Sequence, residues 1–211
     1  MFYETKNRHG LPHDPFKSCV SPRPIGWITT LDEAGAVNLA PYSFFNAVAS
    51  APPLVMFANN GTLPNGAKDT IRNCEATGEF VVNVATWDLR FAMAATSAPE
   101  PTGVDEMRLA GLEAAPSRLV KPPRVKASPI HMECKYLRTV DLPATESHFN
   151  AMVVGHVVGI HIDESVMTDG MIDVTKLKPI ARLGYKDYAV VTEPFTLPWP
   201  SRATAKKTSA G

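Results

Sequence analysis

Apolar residues in this chain come in short blocks whose two alternating faces are both hydrophobic. Along residues 25–31 the faces are Ile25, Trp27, Thr29, Leu31 and Gly26, Ile28, Thr30, so each face ends in a hydroxyl and neither is built for water. DEAG at 32–35 predicts a turn, and residues 37–48 return as one long strand bent at Pro41, with Asn38 and Asn46 on one face and Ser43 on the other. Together they form a hairpin signature. Strands buried on both sides fit a barrel wall covered by a helix or by another subunit.

Further strands are expected at 54–59, 81–85, 131–140 and 151–162. Between them KDTIRNCEATGEF predicts a helix with Asp69 as N-cap and Gly78 as its stop. Helical spacing recurs over 86–97, with Leu89, Ala92, Met93 and Thr96 on one side, and over 104–111. KPPRVKASP (121–129) is an extended linker inside one domain, because the strands after it need partners. The hairpin turns are too short for parallel crossovers, which need a dozen or more residues, so the sheet is antiparallel. Many short strands and few helices predict a mainly β fold, an antiparallel barrel with helices packed outside. The expected organisation is an arm at 1–17, one domain over 18–198, and a disordered tail at 199–211.

Composition narrows the partners. The chain has 211 residues, 45% of them hydrophobic, and 21 basic side chains balance 21 acidic ones. With no net field there is nothing to favour a nucleic acid or an anionic membrane, which leaves small molecules or a second subunit. The longest apolar stretch, 151–160, is too short for a bilayer and contains His156 and two glycines. No secretory signal is visible, and Cys19, Cys74 and Cys134 are widely spaced without a CxxC pair; reduced thiols and a cytoplasmic location are expected. His9 and His13 are four apart, but Gly10 and Pro12 forbid the helix that would align them, so no metal site is expected.

The usual catalytic signatures are absent: no GxGxxG, GxSxG or HExxH occurs. GTLPNGAKDT (61–70) comes close to a phosphate-binding loop, but Ala67 separates Gly66 from Lys68, and it is no Walker motif. The physics of such a loop survives the failed spelling. A helix start offers free N–H groups and a positive dipole end, with Lys68 adding charge and Thr70 a hydroxyl. The plain alternative is a capped helix with a solvated lysine. In the hairpin, buried hydroxyls and amides cost roughly 1–3 kcal/mol each if unpaired, and a ligand rich in polar atoms would pair them.

RPIGWITT, NLAPYSFFNAVASAPP, KDT, TGEFVVNV and PIARLGYKDY, in that order from about Ser18 to Val191, resemble the flavin reductase-like, FMN-binding split-barrel family. The resemblance implies an antiparallel Greek-key split β-barrel with a few peripheral α-helices, a homodimer, and one FMN at each subunit boundary. It implies that Thr29 and Thr30 reach the phosphate and ribityl side. Ala40, Pro41, Tyr42 and Ser43 would lie along the isoalloxazine edge, with Asn46, Ala47 and Val48 beside the cofactor. Lys68, Asp69 and Thr70 would take the phosphate, and Arg182, Leu183 and Gly184 would approach the flavin, from either chain. No catalytic side chain is required, because flavin itself carries hydride or electrons. The implied activity is an FMN-dependent oxidoreductase of the flavin reductase type, with NADH or NADPH as donor and free flavin or another small molecule as acceptor. The alternatives are a flavoredoxin-like electron carrier and a dimeric barrel without flavin. One departure bears on the donor: nicotinamide-dependent members carry GDH before the strand here written AMVVGHVV, whereas this chain has SHFNAMVVG, with Asn150 where that histidine would align.

Overall fold

The computed structural model describes residues 1–62, 68–146 and 148–198. The expected tail therefore lies outside the described residues. A short helix α1 (Phe16–Cys19) leads into β1 (Arg23–Pro24), β2 (Gly26–Leu31), β3 (Val37–Tyr42), β4 (Phe45–Ser50) and β5 (Pro53–Thr62). Helix α2 (Asp69–Thr77) precedes β6 (Glu79–Val84), and α3 (Arg90–Ala95) and α4 (Glu106–Leu109) follow it. A small ribbon pairs β7 (Ala114–Ala115) with β8 (Arg124–Val125), the latter inside the expected linker. Next come the two long strands β9 (Ile130–Asp141) and β10 (His148–Ile162), the ribbon β11 (Met167–Thr168) and β12 (Met171–Ile172), α5 (Val174–Leu177), β13 (Ile180–Arg182) and β14 (Tyr188–Val190).

Seven strands form one curled antiparallel sheet in the order β3-β2-β6-β9-β10-β5-β4, and β1, β13 and β14 make a second, three-stranded sheet. This is the mainly β split-barrel architecture with peripheral helices. Both faces of β2 are buried within the one chain. Ile28 joins Tyr42, Phe57, Phe80, Ile71 and Val153 in the cluster under α2, while Trp27 joins Leu39, Met93, Met107 and Ile180 under α3 and α4. The chain's own helices thus cover the strand that the hydrophobic pattern left without a wet face.

Two expectations change. The single strand over 37–48 is two strands at opposite ends of the sheet: β3 pairs β2, and β4 pairs β5. Pro41 does not cause the break. It sits opposite Trp27 on the sheet's outermost strand, where a missing N–H costs no ladder bond. The chain parts at Ser43 and Phe44, where the Phe44 carbonyl accepts the Ala58 N–H at 2.8 Å and draws the backbone across to β5. Phe45 then lands on Gly26, where a Cβ would lie 2.5 Å from the ring, so only glycine permits the crossing. The N-cap of α2 is also displaced. Lys68, extended at φ −62° and ψ 156°, holds that position without a side-chain cap. The Asp69 carboxylate instead pairs with Arg72 and accepts the Thr102 hydroxyl at 3.1 Å, because those charged and hydroxyl donors surround it. Gly78 ends the helix at φ 74°, as expected.

Candidate functional site

Two basic groups contact segment 40–48, Lys68 at Tyr42 and Arg23 at Phe44. On one side the Lys68 ammonium sits 5.5 Å from the centre of the Tyr42 ring. Tyr42 is buried against Phe57 at 4.8 Å between ring centres, and its hydroxyl faces Thr70 without a well-formed hydrogen bond. Burial raises the Tyr42 pKa, so the phenol stays protonated. Lys68 is open to solvent, yet the protein around its ammonium lowers its pKa by desolvation.

On the other side is the second sheet. β1 pairs β13, setting Arg23 opposite Arg182. The Arg23 guanidinium donates to the carbonyls of Lys17, Val20 and Leu183, the last at 2.7 Å, and lies 5.8 Å from the centre of the Phe44 ring. Arg23 therefore ties the N-terminal arm, the RLG segment and the start of the β3–β4 crossing into one unit. Gly184 is obligatory there, since an added Cβ would lie 1.7 Å from the Ser18 hydroxyl. Arg182 donates to the Tyr185 carbonyl and the Tyr188 hydroxyl, with its guanidinium 4.5 Å from the Tyr188 ring.

Behind the segment the polar side chains of the strands satisfy one another. Asn38 donates to Thr30 at 3.2 Å and to Thr70 at 2.9 Å, and Asn73 donates to Thr30 at 3.0 Å. This buried network fastens the first two turns of α2 to β2 and β3. Thr29 accepts from Asn83 at 2.8 Å, and the Asn83 carbonyl oxygen takes the Val125 N–H at 2.8 Å, which holds the β8 ribbon. Thr29 and Thr30 are both 0% exposed, so neither hydroxyl reaches the surface of this chain.

The remaining expected residues lie outward. Ala40, Pro41 and Ser43 are half-buried, whereas Asn46, Ala47 and Val48 are exposed, with a bulge between Ala47 and Ala49. β4 is the last strand of its sheet, so its outer backbone edge has no neighbouring strand among the described residues. Asn150 sits in β10 opposite Asn60, and its amide donates to the Pro143 carbonyl at 2.9 Å, closing the β9–β10 hairpin. Residues whose parts the motifs did not reveal are Arg23, Phe44, Asn38, Asn73 and Asn83. Arg23 lies inside RPIGWITT, but only the pairing of β1 with β13, distant in sequence, exposes its role.

The sequence pattern of the flavin reductase like domain matches residues 18–181. The chain belongs to the flavin reductase-like family. An uncharacterised Bacillus subtilis protein, YwrF, is 38% identical over 185 residues, 86% of this chain and 90% of that one. An uncharacterised protein of Aquifex aeolicus is 36% identical over 170 residues, covering 80% and 84%. Among solved structures, nitrilotriacetate monooxygenase component B from Bacillus cereus superposes with a TM-score of 0.85 at 34% identity, covering 93% of this chain and 98% of that one. The 2-nitrobenzoate 2-nitroreductase NbaA of Pseudomonas fluorescens gives 0.77 at 28% identity, with 89% of each chain covered. Flavoredoxin of Desulfovibrio vulgaris shares the fold, with a TM-score of 0.72 at 19% identity, over 96% of this chain and 100% of that one. This family membership carries the split-barrel, flavin-protein frame to the present chain.

Proposed function

We propose that this protein is an FMN-dependent oxidoreductase of the flavin reductase type, holding the flavin along segment 40–48. The observation that carries the reading is that segment 40–48 meets Lys68 at Tyr42 and Arg23 at Phe44 and continues into β4, whose outer edge has no neighbouring strand among the described residues; we take this as the flavin cradle. The fit to a flavin nucleotide is chemical. A planar, polar-edged ring needs backbone donors and acceptors at its rim, and a phosphate needs a cation and free N–H groups. Segment Ala40–Ser43, continuing through Asn46–Val48, offers the first; Lys68 at the uncapped start of α2, with Asp69 and Thr70, offers the second.

In this reading Thr29 and Thr30 act from behind, keeping β2 and α2 in register so that the cradle is rigid before ligand arrives. Arg182, Leu183 and Gly184 close the far end in the same chain through Arg23. When bound, FMN supplies hydride or electron transfer, and no side chain has to act as acid, base or nucleophile. The chain's own part is to bind, orient and balance charge. A homodimer is part of the proposal, since the exposed face of Asn46–Ser50 is left without cover. The donor is NADH or NADPH, the acceptor a small molecule, and the location cytoplasmic, in keeping with three free cysteines.

A specific observation supports a second reading, a flavoredoxin-like carrier: Asn150 has no imidazole and its amide is committed to the hairpin. Anaerobic mixing separates the two. The reductase reading expects protein-bound flavin to bleach at 450 nm within seconds of adding NADH or NADPH. Yellow protein that stays oxidised with both but bleaches with dithionite makes it a carrier.

A further inference from the structure

An apolar groove of about 260 Å³ opens between α3 and β13–β14, lined among others by Trp87, Phe91, Met93, Ile180, Tyr188 and Val190. Its rim is unusually exposed for such side chains: Trp87 is 44%, Phe91 73% and Tyr188 43% accessible. Arg90 stands at that rim, its guanidinium stacked 3.9 Å from the Trp87 ring centre and 4.3 Å from that of Phe91. The volume is below the several hundred Å³ that a drug-sized ligand fills and suits one aromatic side chain with a neighbour.

An apolar segment of the same chain has the opposite shortage. After β14, the stretch Glu193–Leu197 reads EPFTL, with Phe195 83% and Leu197 76% exposed. The arm carries an acid, Glu193, two residues before its aromatic; the groove carries a base, Arg90, beside its aromatic rim. The two surfaces are complementary in charge and in hydrophobicity.

We propose that the arm Glu193–Leu197 of one copy docks in the α3/β14 groove of a second copy, with Phe195 between Trp87, Phe91 and Tyr188 and Glu193 against Arg90. Docking within one chain is opposed by covalent geometry. Tyr188–Val190, which line the groove, immediately precede the arm, so a chain filling its own groove must reverse within Val191–Glu193. Glu193 precedes Pro194, whose ring holds the residue before it extended, which disfavours that reversal. Each copy has one groove and one arm, so a two-fold pair satisfies both at once. The groove adjoins the Arg182 end of the proposed cradle through Tyr188, which receives the Arg182 guanidinium, but none of the docking contacts requires flavin, so the exchange stands whether or not flavin binds.

The test uses two differently tagged full-length chains in a Cys19→Ser background, one carrying Ala94→Cys, at the groove, and the other Thr196→Cys, in the arm, which keeps both aromatic anchors; they are co-expressed and oxidised with and without FMN. A disulfide-linked heterodimer joining positions 94 and 196, found by mass spectrometry of the peptides, is the expected result. Arg90→Glu in the first chain should lower its yield several-fold, and Glu193→Arg in the second should restore it. Absence of the inter-chain link overturns the proposal. So does a third chain carrying both cysteines in which the 94–196 link forms only within the chain. A flavin titration on the same material reads the cradle separately.

Discussion

Lys68 carries the narrowest part of the account. It stands at an uncapped helix start and its cation faces the Tyr42 ring without a carboxylate partner among the described contacts. A phosphate placed there would gain one charge-assisted bond and a helix dipole, each of modest size because the site is wet. Lys68→Ala is expected to weaken FMN binding about 5- to 20-fold, which is about 1–2 kcal/mol, with no change in melting temperature of the apoprotein. Fluorescence titration measures it; equal affinities for both proteins would return Lys68 to the solvated face. A charge change with opposite logic lies in the core at Glu133 and His131. Glu133 is fully buried; burial pushes its pKa up, but the His161 bond and the N–H groups of Arg118 and Leu119 outweigh that and lower it. Such a carboxylate stabilises the fold above its unfolded pKa and ceases to as pH falls through the lower folded one. His131 falls from 6.5 to about 4, chiefly by burial, so from pH 6.5 down to about 4 the unfolded chain takes up a proton that the folded chain refuses. Both signs agree: the melting temperature should decline on acidification from pH 6.5 to 4, and His131→Gln should flatten the upper part of that decline.

At the scale of elements, α2 matters most, because it starts at Lys68 and packs Ile71 and Cys74 into the core beneath it. Its polar attachment is the four-residue network Thr30, Asn38, Thr70 and Asn73. Thr30→Val and Asn73→Ala should each cost about 1–3 kcal/mol by stranding buried partners, and the double variant should cost less than their sum by 0.5 kcal/mol or more. Strict additivity in chemical denaturation would remove the network as a unit. The same element shows what the amino-acid pattern conveyed. The α2 span, its Gly78 stop and the hairpin from Gly26 to Tyr42 were legible because local spacing and turn chemistry specify them. The parting at Ser43 was not. Residues on both sides of it are apolar, and what separates β3 from β4 is pairing with β5 and the seat of Phe45 on Gly26, neither of which is local. Asp69 failed as N-cap because Arg72, one helical turn on, and Thr102, a loop residue far along the chain, hold its carboxylate; only the second contact lies beyond local spacing. The buried polar cluster in the strands was visible in outline, but its partners Asn73 and Asn83 lie on elements that only folding brings near.

For the whole molecule, one half of the pattern is answered within a single chain and the other half is not. β2 is sealed on both faces by α2, α3 and α4, while β4, the groove beside α3 and the arm after β14 remain open. The family supplies the frame, and the proposed cradle is where a flavin would lie within it. Among the described residues no helix is long and apolar enough to cross a membrane. The most direct measurement is sedimentation velocity of the purified protein with FMN, followed at both 280 and 450 nm. Flavin absorbance is expected to move with a dimer at one FMN per chain. Flavin that remains entirely in the unsedimented pool, at protein concentrations of tens of micromolar, would contradict it.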